Sequence, residues 1–455
     1  MERGCSSGVE HNLAKVRVEG SNPFARSNIL PTQGEDDKGA FGRLFVFQRY
    51  RSGHEVDGGS GGLRSNWTKQ RFKPLLIGLP WRADRGGSFR RMTTTSLPKR
   101  DYSIVGPESQ RAVERGLATA EWYHTEVPRA KMKELMQRSD GPPLRDNLLW
   151  LGLLLATGIG GIVFWGTWWC VPFFFVYGVL YGSASDSRWH ECGHGTAFKT
   201  PWMNRVIYQI ACFMLIRNPV TWKWSHARHH SDTIIVGRDV EIAVMRPPVL
   251  FRVIMAFIGI LDAWDSLGTM VRNASGNLSD AEKSFIPKGD WPKAIFVPRV
   301  WIAIYAATAV TAVATQSILP FMLIGLPRLY GCWHMVLVGL LQHGGLAEDV
   351  TDHRLNTRTV LMNPISRFLY LDMNYHVEHH MFPVVPYYAL ERLHEVIKHD
   401  LPPPTPSILA GYREMIPIWL RQLRGENVFL KKQLPPTARP YREDLDFAVP
   451  MTGAE

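Results

Sequence analysis

Two long stretches of the chain contain almost no charge, and they limit what it can fold into more than any other feature. Residues 147–185 hold no Asp, Glu, Lys or Arg, and residues 300–345 hold only Arg328. A helix rises about 1.5 Å per residue and the hydrocarbon core of a bilayer is about 30 Å thick, so each stretch is long enough for a helical hairpin. We therefore predict an all-α integral membrane protein with four transmembrane helices in two hairpins. The predicted spans are residues 148–165, 168–184, 300–315 and 318–341.

The charges around these stretches indicate how the hairpins face. Neither predicted outer turn, at residues 166–167 and 316–317, contains Lys or Arg, whereas the inner segments contain many. The positive-inside rule then places both termini and the segment between the hairpins in the cytoplasm. Arg328 would lie deep in the fourth span, where a charge is costly unless it faces the protein interior or water. The alternative is a re-entrant segment near residues 320–327, with the last span beginning at Leu329.

Shorter apolar and amphipathic patterns lie outside the spans. The patches at residues 206–215 and 253–261 are too short to cross a bilayer, so we expect them at the interface or over a cytoplasmic helical domain. If either crossed alone, the histidine clusters described below would end on opposite sides of the membrane. Two amphipathic helices are predicted at residues 387–399 and 412–424, the second despite Pro417 in its interior.

The chain divides by composition into four segments. Residues 1–91 are rich in Gly, Arg and Ser and are predicted to be a disordered, low-complexity extension, with Met92 as a candidate biological start. Residues 92–146 form a cytoplasmic lead-in, residues 147–405 a catalytic domain, and residues 406–455 a C-terminal helix and polar tail. The net charge of +11 is uneven, because residues 1–91 hold 16 Lys and Arg against 9 Asp and Glu. No recognisable nucleic-acid module accompanies this charge, so we expect a basic surface beside an anionic membrane and no nucleic-acid partner.

Three histidine clusters lie outside the predicted spans. One follows the second span, one lies in the segment between the hairpins, and one follows the fourth span. Box 1 is HECGH at residues 190–194, box 2 is HARHH at residues 226–230, and box 3 is HVEHH at residues 376–380. Histidines three or four residues apart project from one face of a helix, so the imidazoles of each box can meet at a metal. Neutral imidazole suits iron, zinc, copper or nickel, and eight ligands exceed what one tetrahedral zinc can use. The boxes therefore predict two metal ions, and His343, at the end of the fourth span, is included as a ninth ligand. The predicted ligands are His190, His194, His226, His229, His230, His343, His376, His379 and His380.

The second nitrogen of each ligand needs a partner that orients the ring. Glu191 and Glu378 lie inside the boxes but receive no role, and His394 is treated as an ordinary core or surface residue. Trp222 and Trp224, near box 2, are candidates for the walls of a substrate channel. The candidate orienting residues are Asp186, Asp232, Asp239, Glu348, Asp349, Asp352 and Asn374. Secondary ligand candidates are His334 and His353.

The order and spacing of the three boxes resemble the HxxxH, HxxHH and HxxHH pattern of the integral-membrane fatty acid desaturase and hydroxylase superfamily. The resemblance covers about residues 145–405. It implies a non-haem di-iron centre, four membrane helices and O2-dependent attack on an unactivated C–H bond. It also implies that an external donor such as ferredoxin or cytochrome b5 supplies electrons. Residues 342–348 and 374–380 further resemble the rhizopine-oxygenase-like branch of that superfamily.

Three functions are compatible with these features. The leading interpretation is a membrane-bound, O2-dependent di-iron oxidoreductase that introduces a double bond into a fatty-acyl or related lipid chain, with its active site and both termini in the cytoplasm. The nearest alternative keeps the scaffold and inserts oxygen, as a hydroxylase or oxygenase acting on a hydrocarbon, carotenoid or rhizopine-like substrate. A histidine-rich metal transporter is less favoured, because the boxes lie at helix ends and loops rather than at the bilayer midplane, where transport sites usually occur.

Overall fold

The computed structural model describes residues 100–442 and 449–452, so the predicted extension at residues 1–91 and the candidate start at Met92 lie outside the described residues. The described chain is mostly helical, as predicted. It departs from an all-α fold in one place, where two short parallel strands pair, β1 Val428–Lys431 and β2 Val449–Thr452. The helices are α1 Pro107–Glu114, α2 Arg129–Leu135, α3 Gly141–Val163, α4 Cys170–Gly182, α5 Ala184–His194, α6 Pro201–Met214, α7 Pro219–Ser231, α8 Leu250–Ala256, α9 Ile260–Ala274, α10 Asp280–Phe285, α11 Trp291–Ala314, α12 Leu319–Leu323, α13 Pro327–Tyr330, α14 Trp333–His343, α15 His353–Asn356, α16 Pro364–Tyr370, α17 His376–Met381, α18 Leu390–Ile397 and α19 Ile408–Leu423.

The first apolar stretch folds into the expected helical hairpin. Helix α3 begins with proline in its first turn, where the missing N–H is not needed, and it packs against α4. Gly166 lies in the turn with φ +85°, a left-handed conformation that favours glycine. After Ser183 the chain continues into α5, which contains box 1. The helix α4 lies within the predicted second span at residues 168–184, and box 1 follows it directly.

Within the described residues, two helical stretches are long and apolar enough to cross a membrane, Gly141–Val163 and Lys288–Ala314. The second of these includes α11, which begins before the predicted third span and continues through Pro298. Both stretches leave large apolar side chains exposed, including Leu155 on α3 and Val313 on α11. Exposed apolar surface of this size indicates contact with a membrane or another apolar partner.

The predicted continuous fourth span at residues 318–341 is wrong, because this stretch folds as α12, α13 and α14. Ile324 is extended and Gly325 has φ +95°, so the helix ends there. Pro320 and Pro327 each stand in the first turn of a new helix, where proline is tolerated but cannot continue a preceding one. The break agrees with the alternative of an interrupted segment near residues 320–327.

Close backbone contact joins α13 to α4. A Cβ atom on Gly331 would lie 1.8 Å from the carbonyl oxygen of Gly178, so only glycine fits at this crossing. Just beyond it, Ser183 Oγ donates to the carbonyl of Gly331 at 2.6 Å and accepts from the backbone N–H of Met335 at 2.9 Å. These contacts fix α14, which ends at His343, beside the start of the box 1 helix.

Arg328 faces the protein interior. This agrees with the expectation that a charged side chain within a membrane segment is too costly to face lipid. Its side chain is 1% exposed and forms an ion pair with Asp262 on α9. Asp262 also lies 3.6 Å from Arg217, whose guanidinium is 4.0 Å from Asp186. The charge on Arg328 is thus compensated by the buried Asp262, within a network that also includes the buried Arg217 and the half-buried Asp186.

The two short apolar patches form helices packed on this framework. Residues 206–215 belong to α6, and residues 253–261 to α8 and the start of α9. Both predicted C-terminal helices are confirmed: α18 occupies the first with short 3-10 turns at either end, and α19 continues through Pro417. The main apolar core lies between α4 to α7 and the chain from α16 to α18.

Candidate metal centre

Each box lies on a helix whose ends are defined by its sequence. Box 1 occupies the last turns of α5, which stops at Gly195 with φ +69°. Box 2 lies in α7, which begins at Pro219 after Asn218 accepts a hydrogen bond from the backbone of Val220. Box 3 forms the short helix α17, which begins at His376 itself. All three boxes are therefore helical, the condition on which the sequence prediction depended.

All nine nominated histidines come together, in two adjacent groups. In each group, one potential ligand atom from every residue lies within 4.8 Å of all the others. Group A consists of His190, His194, His226, His230 and His379, and group B consists of His229, His343, His376 and His380. The groups touch, because the rings of His230 and His380 are stacked with centroids 4.4 Å apart.

The expectation that every box directs its histidines at one metal is wrong for boxes 2 and 3. In box 2, the i and i+4 residues His226 and His230 enter group A, whereas the i+3 residue His229 enters group B. Box 3 has the opposite assignment, with His376 and His380 in group B and His379 in group A. Around a helix, the side chains of residues i and i+3 point in directions that differ more than those of residues i and i+4. A helix that lies between the two groups can therefore send its i+3 histidine to one group and its i and i+4 histidines to the other. The HxxHH boxes therefore bridge the two groups.

The ring nitrogens within the groups face each other at hydrogen-bonding distance. Nε2 of His226 lies 3.1 Å from Nε2 of His194 and 3.2 Å from Nε2 of His230. In group B, Nε2 of His380 lies 3.1 Å from Nε2 of His376. Where the opposite nitrogen carries the proton, such facing nitrogens present only lone pairs to each other. Convergent lone pairs of this kind fit metal cations.

Carboxylates and carbonyls behind the rings assign that proton to Nδ1. Glu241 accepts from Nδ1 of His226 at 2.8 Å, and Asp239 accepts from Nδ1 of His229 at 2.8 Å. A carboxylate can only accept here, so Nδ1 carries the hydrogen and Nε2 points into the group with its lone pair. The carbonyl oxygen of Asn356 does the same for His343 at 2.8 Å. This is the arrangement by which proteins orient histidine ligands.

Burial keeps most of these imidazoles neutral. Desolvation lowers the pKa of His190 and of His343 to about 3. It also lowers the pKa of His226 and His380 well below the usual value, and neighbouring histidines add to the effect. For His229, burial also lowers the pKa, but the charge and hydrogen bond of Asp239 outweigh it and raise the pKa overall. Neutral imidazole is the form that binds metals.

Of the seven predicted orienting residues, only Asp239 contacts one of the nine histidines. The others have structural partners: Asp232 pairs with Arg228 and Arg238, and Asp352 pairs with Arg354. Asp186 accepts from the indole of Trp189, Glu348 and Asp349 pair with Arg100, and Asn374 donates to the carbonyl of Val360. These six residues are close to the boxes in the sequence, but their side chains bond to other groups and not to the histidine rings.

Sequence reasoning missed two carboxylates beside the ligand histidines, Glu191 at 3.2 Å from Nδ1 of His190 and Glu241 at 2.8 Å from Nδ1 of His226, and it also missed the role of Glu378. Glu241 follows Asp239 by two residues in a loop that returns to α7, so an acidic i, i+2 pair after box 2 was the available signal. Glu378 in box 3 is fully buried and accepts from Thr359 at 2.6 Å and from His394 at 2.5 Å. His394, for which the sequence indicates only an ordinary core or surface position, therefore holds α17 against α18.

The secondary ligand candidates lie outside both groups. His334 faces Ser366, with Nε2 3.1 Å from its hydroxyl oxygen. His353 is buried with its ring centroid 5.2 Å from that of His380, adjacent to group B but not among its converging nitrogens.

A cavity of about 160 Å³ opens beside the two groups. It is lined by histidines of both groups and by apolar residues of α14, including Met335, Val336 and Leu340. Trp222 lines this cavity and also a second one of about 130 Å³, in line with its predicted role as a channel wall. Trp224 instead donates its indole N–H to Asp290 at 2.9 Å and lines neither cavity.

Fold and centre together define a helical protein with two exposed apolar helices and a buried site of nine histidines. The family model described as "Fatty acid desaturase" matches residues 166–411. This is more than half of the chain and includes all nine histidines. The chain belongs to the fatty acid desaturase family.

Similar proteins come from plants. The chain is 25% identical to an omega-6 fatty acid desaturase, endoplasmic reticulum isozyme 1, of Glycine max, over 49% of this chain and 65% of the relative. It is 26% identical to a delta(12) acyl-lipid conjugase (11E,13E-forming) of Impatiens balsamina, over 46% of this chain and 61% of the relative. A chloroplastic omega-3 fatty acid desaturase of Sesamum indicum is 22% identical over 78% of this chain and 84% of the relative. The first two alignments thus span less than two thirds of the relatives.

Proposed function

We propose that the protein is a membrane-bound, O2-dependent desaturase that uses two non-haem iron ions to introduce a double bond into the acyl chain of a lipid. The observation that supports this most is the division of nine histidines into two touching groups inside the region that matches the family. Group A would hold one iron and group B the other, and the bound pair would supply the activation of O2. The nine histidines would thus be the ligands named from the sequence.

The chain's own contribution is to hold the rings, position the substrate and limit access of water. Glu241 and Asp239 keep their histidines in the tautomer that presents Nε2. The cavity beside α14 offers apolar walls to an acyl chain, and its contact with both groups would bring two neighbouring methylenes within reach. Six of the nine histidines are buried and three are half-buried, which limits the access of water to the centre.

We further propose the four-span topology, with the histidine groups and both termini on the cytoplasmic side. Helices α3 and α11 would cross the membrane completely, and α4 and the interrupted segment α12 to α14 would complete the two hairpins. Trp168, 91% exposed in the turn between α3 and α4, would lie at the far membrane surface, where tryptophan is favoured. Electrons would come from a separate one-electron carrier such as ferredoxin or cytochrome b5.

Expression of three chains in one host tests the proposal. Wild type, His379→Ala and the control His399→Ala, whose histidine is exposed on α18's flank, are fed a deuterated fatty acid, with and without O2. We expect wild type and His399→Ala to form a product that has lost two deuterium atoms, only with O2. His379→Ala should form none and should bind less iron when purified.

Each other outcome identifies a different function. A product that gains one oxygen atom would indicate a hydroxylase, the alternative that shares this scaffold and includes the rhizopine-oxygenase-like branch. Metal flux into proteoliposomes without O2 consumption would indicate a transporter. An unchanged product from His379→Ala would refute the proposed centre.

A further inference from the structure

Two stacked aromatic rings lead from the protein surface to group B. The ring centroids of Trp122 and His353 lie 4.3 Å apart with an interplanar angle of 8°. The His353 ring is in turn 5.2 Å from that of His380, a member of group B. His353 is buried, whereas Trp122 is only partly buried and reaches solvent. The three rings therefore form an unbroken aromatic path from solvent to the centre.

The lead-in segment that contains Trp122 is fixed to the catalytic domain. The indole N–H of Trp122 donates to the carbonyl of Ser231 at 3.0 Å, one residue after box 2. The backbone N–H of Tyr123 donates to the carbonyl of Thr351 at 2.9 Å. The guanidinium of Arg354 lies 3.7 Å from the centroid of the Tyr123 ring. These contacts hold the stacked pair in one geometry, so the path is a fixed feature of the fold.

Packing alone does not account for the choice of residues on this path. His353 is a histidine beside a metal site that it does not join, and its Nδ1 has no hydrogen-bond partner among the described residues. A buried polar ring without a full set of partners is costly compared with an apolar residue of the same size. An aromatic ring at this position stands between Trp122 and His380, so no aliphatic side chain separates their rings.

We propose that Trp122 and His353 are the route by which electrons from an external one-electron carrier protein enter the metal centre, an inference that rests on the proposed function. The probability of electron transfer falls exponentially with the gap to be crossed, so rings in contact shorten the effective gap between carrier and centre. No bond is made or broken along the path. The carrier docks where Trp122 is exposed.

The electron count of the proposed reaction requires such a route. Desaturation removes two hydrogen atoms from the substrate and reduces one O2 to two waters, which needs two further electrons and two protons. Two molecules of reduced carrier each lose one electron per double bond formed. Six of the nine histidines are buried and the other three are half-buried, so a carrier protein is too large to touch the ring nitrogens and the electrons must cross protein.

The test compares Trp122→Leu with Trp122→Phe in the full-length, iron-loaded protein. Both substitutions remove the hydrogen bond to Ser231, and only leucine removes the aromatic ring. Trp202→Leu serves as a control, because Trp202 is 54% exposed on α6 and contributes nothing to the path. Reduced cytochrome b5 and a reduced ferredoxin are each mixed with wild type without O2, and the carrier oxidised faster is used throughout.

Oxidation of the carrier is followed by its own absorbance in a stopped-flow instrument without O2. We expect Trp122→Leu to lower the limiting rate at saturating carrier by about tenfold or more, and Trp122→Phe to stay within about threefold of wild type. Iron content should match wild type in all three variants. A single turnover begun by dithionite reduction and O2 should also match, since dithionite is small and does not need the docking site.

Several results would overturn the proposal. One is carrier oxidation by Trp122→Leu at the wild-type rate, and another is an equal loss in Trp122→Phe, which would assign the effect to the hydrogen bond. Iron lost from Trp122→Leu alone would show that the ring holds the site together instead. Failure of the proposed function is recognised separately, because wild type would then form no unsaturated product even after dithionite reduction.

Discussion

Glu241 offers the sharpest test of how the histidine centre is built, because it touches one ligand and was not apparent from the sequence. Its carboxylate accepts from Nδ1 of His226 at 2.8 Å and from the hydroxyl of Ser225 at 2.5 Å. Replacing an outer partner of a metal-bound histidine lowers metal affinity about 10- to 100-fold, which is about 1.4 to 2.8 kcal/mol. We expect the loss of iron affinity in Glu241→Ala to lie in this range.

Glu241→Gln shows how much of the loss of metal affinity comes from the charge of Glu241 and how much from its hydrogen bonds. The glutamine oxygen can still accept from His226, and its amide can donate to Ser225, so the ring stays oriented while the negative charge is lost. We therefore expect its loss of affinity to be at the lower end of the range, about tenfold. Glu395→Gln is the matched control, because Glu395 is exposed and pairs only with Lys398 among the described residues.

Iron affinity is measured on detergent-purified protein by competition with a chelator of known affinity, with bound iron counted by mass spectrometry. The expected order is wild type and Glu395→Gln, then Glu241→Gln, then Glu241→Ala. Only group A contains His226, so one of the two binding steps should weaken in the variants and the other should not change. Equal iron affinity in wild type and Glu241→Ala would refute the view that this carboxylate orients a ligand.

Three further predictions concern stability, each checked by thermal unfolding in detergent. Gly331→Ala places a Cβ against backbone and should cost about 1–3 kcal/mol or more, whereas Gly152→Ala, with open space around it, should be neutral or slightly stabilising. Arg328→Met leaves the buried Asp262 carboxylate without its closest partner and should cost about 3–5 kcal/mol, and a further Asp262→Asn change should recover part of the loss. Burial raises the pKa of Asp400, but hydrogen bonds from two hydroxyl groups outweigh it and lower the pKa overall. Its contribution, about 1.5–3 kcal/mol, is therefore complete at neutral pH and is lost as the pH falls from about 4 through the lowered pKa of the folded protein, so the difference between wild type and Asp400→Asn should shrink over that range.

The sequence alone determined the features that depend on local pattern. Runs of uncharged residues identified α3, α4 and α11, because an apolar helix of this length has few other environments. Histidines three and four residues apart identified eight of the nine residues that converge, because helical periodicity fixes which side chains share a face, and the end of the fourth predicted span identified His343. The same reasoning found α18 and α19 from their amphipathic spacing.

Only the tertiary structure decided which histidines share a group and which residues bond to the outer nitrogens of their rings. The HxxHH spacing is the same whether its three rings meet at one metal or divide between two, and the division depends on how α7 and α17 cross. Glu241 and His394 reach their partners through loops and helix packing that no local period encodes. The close approach of Gly331, beside α13, to Gly178 in α4 is likewise a relation between residues more than 150 positions apart, which no local pattern encodes.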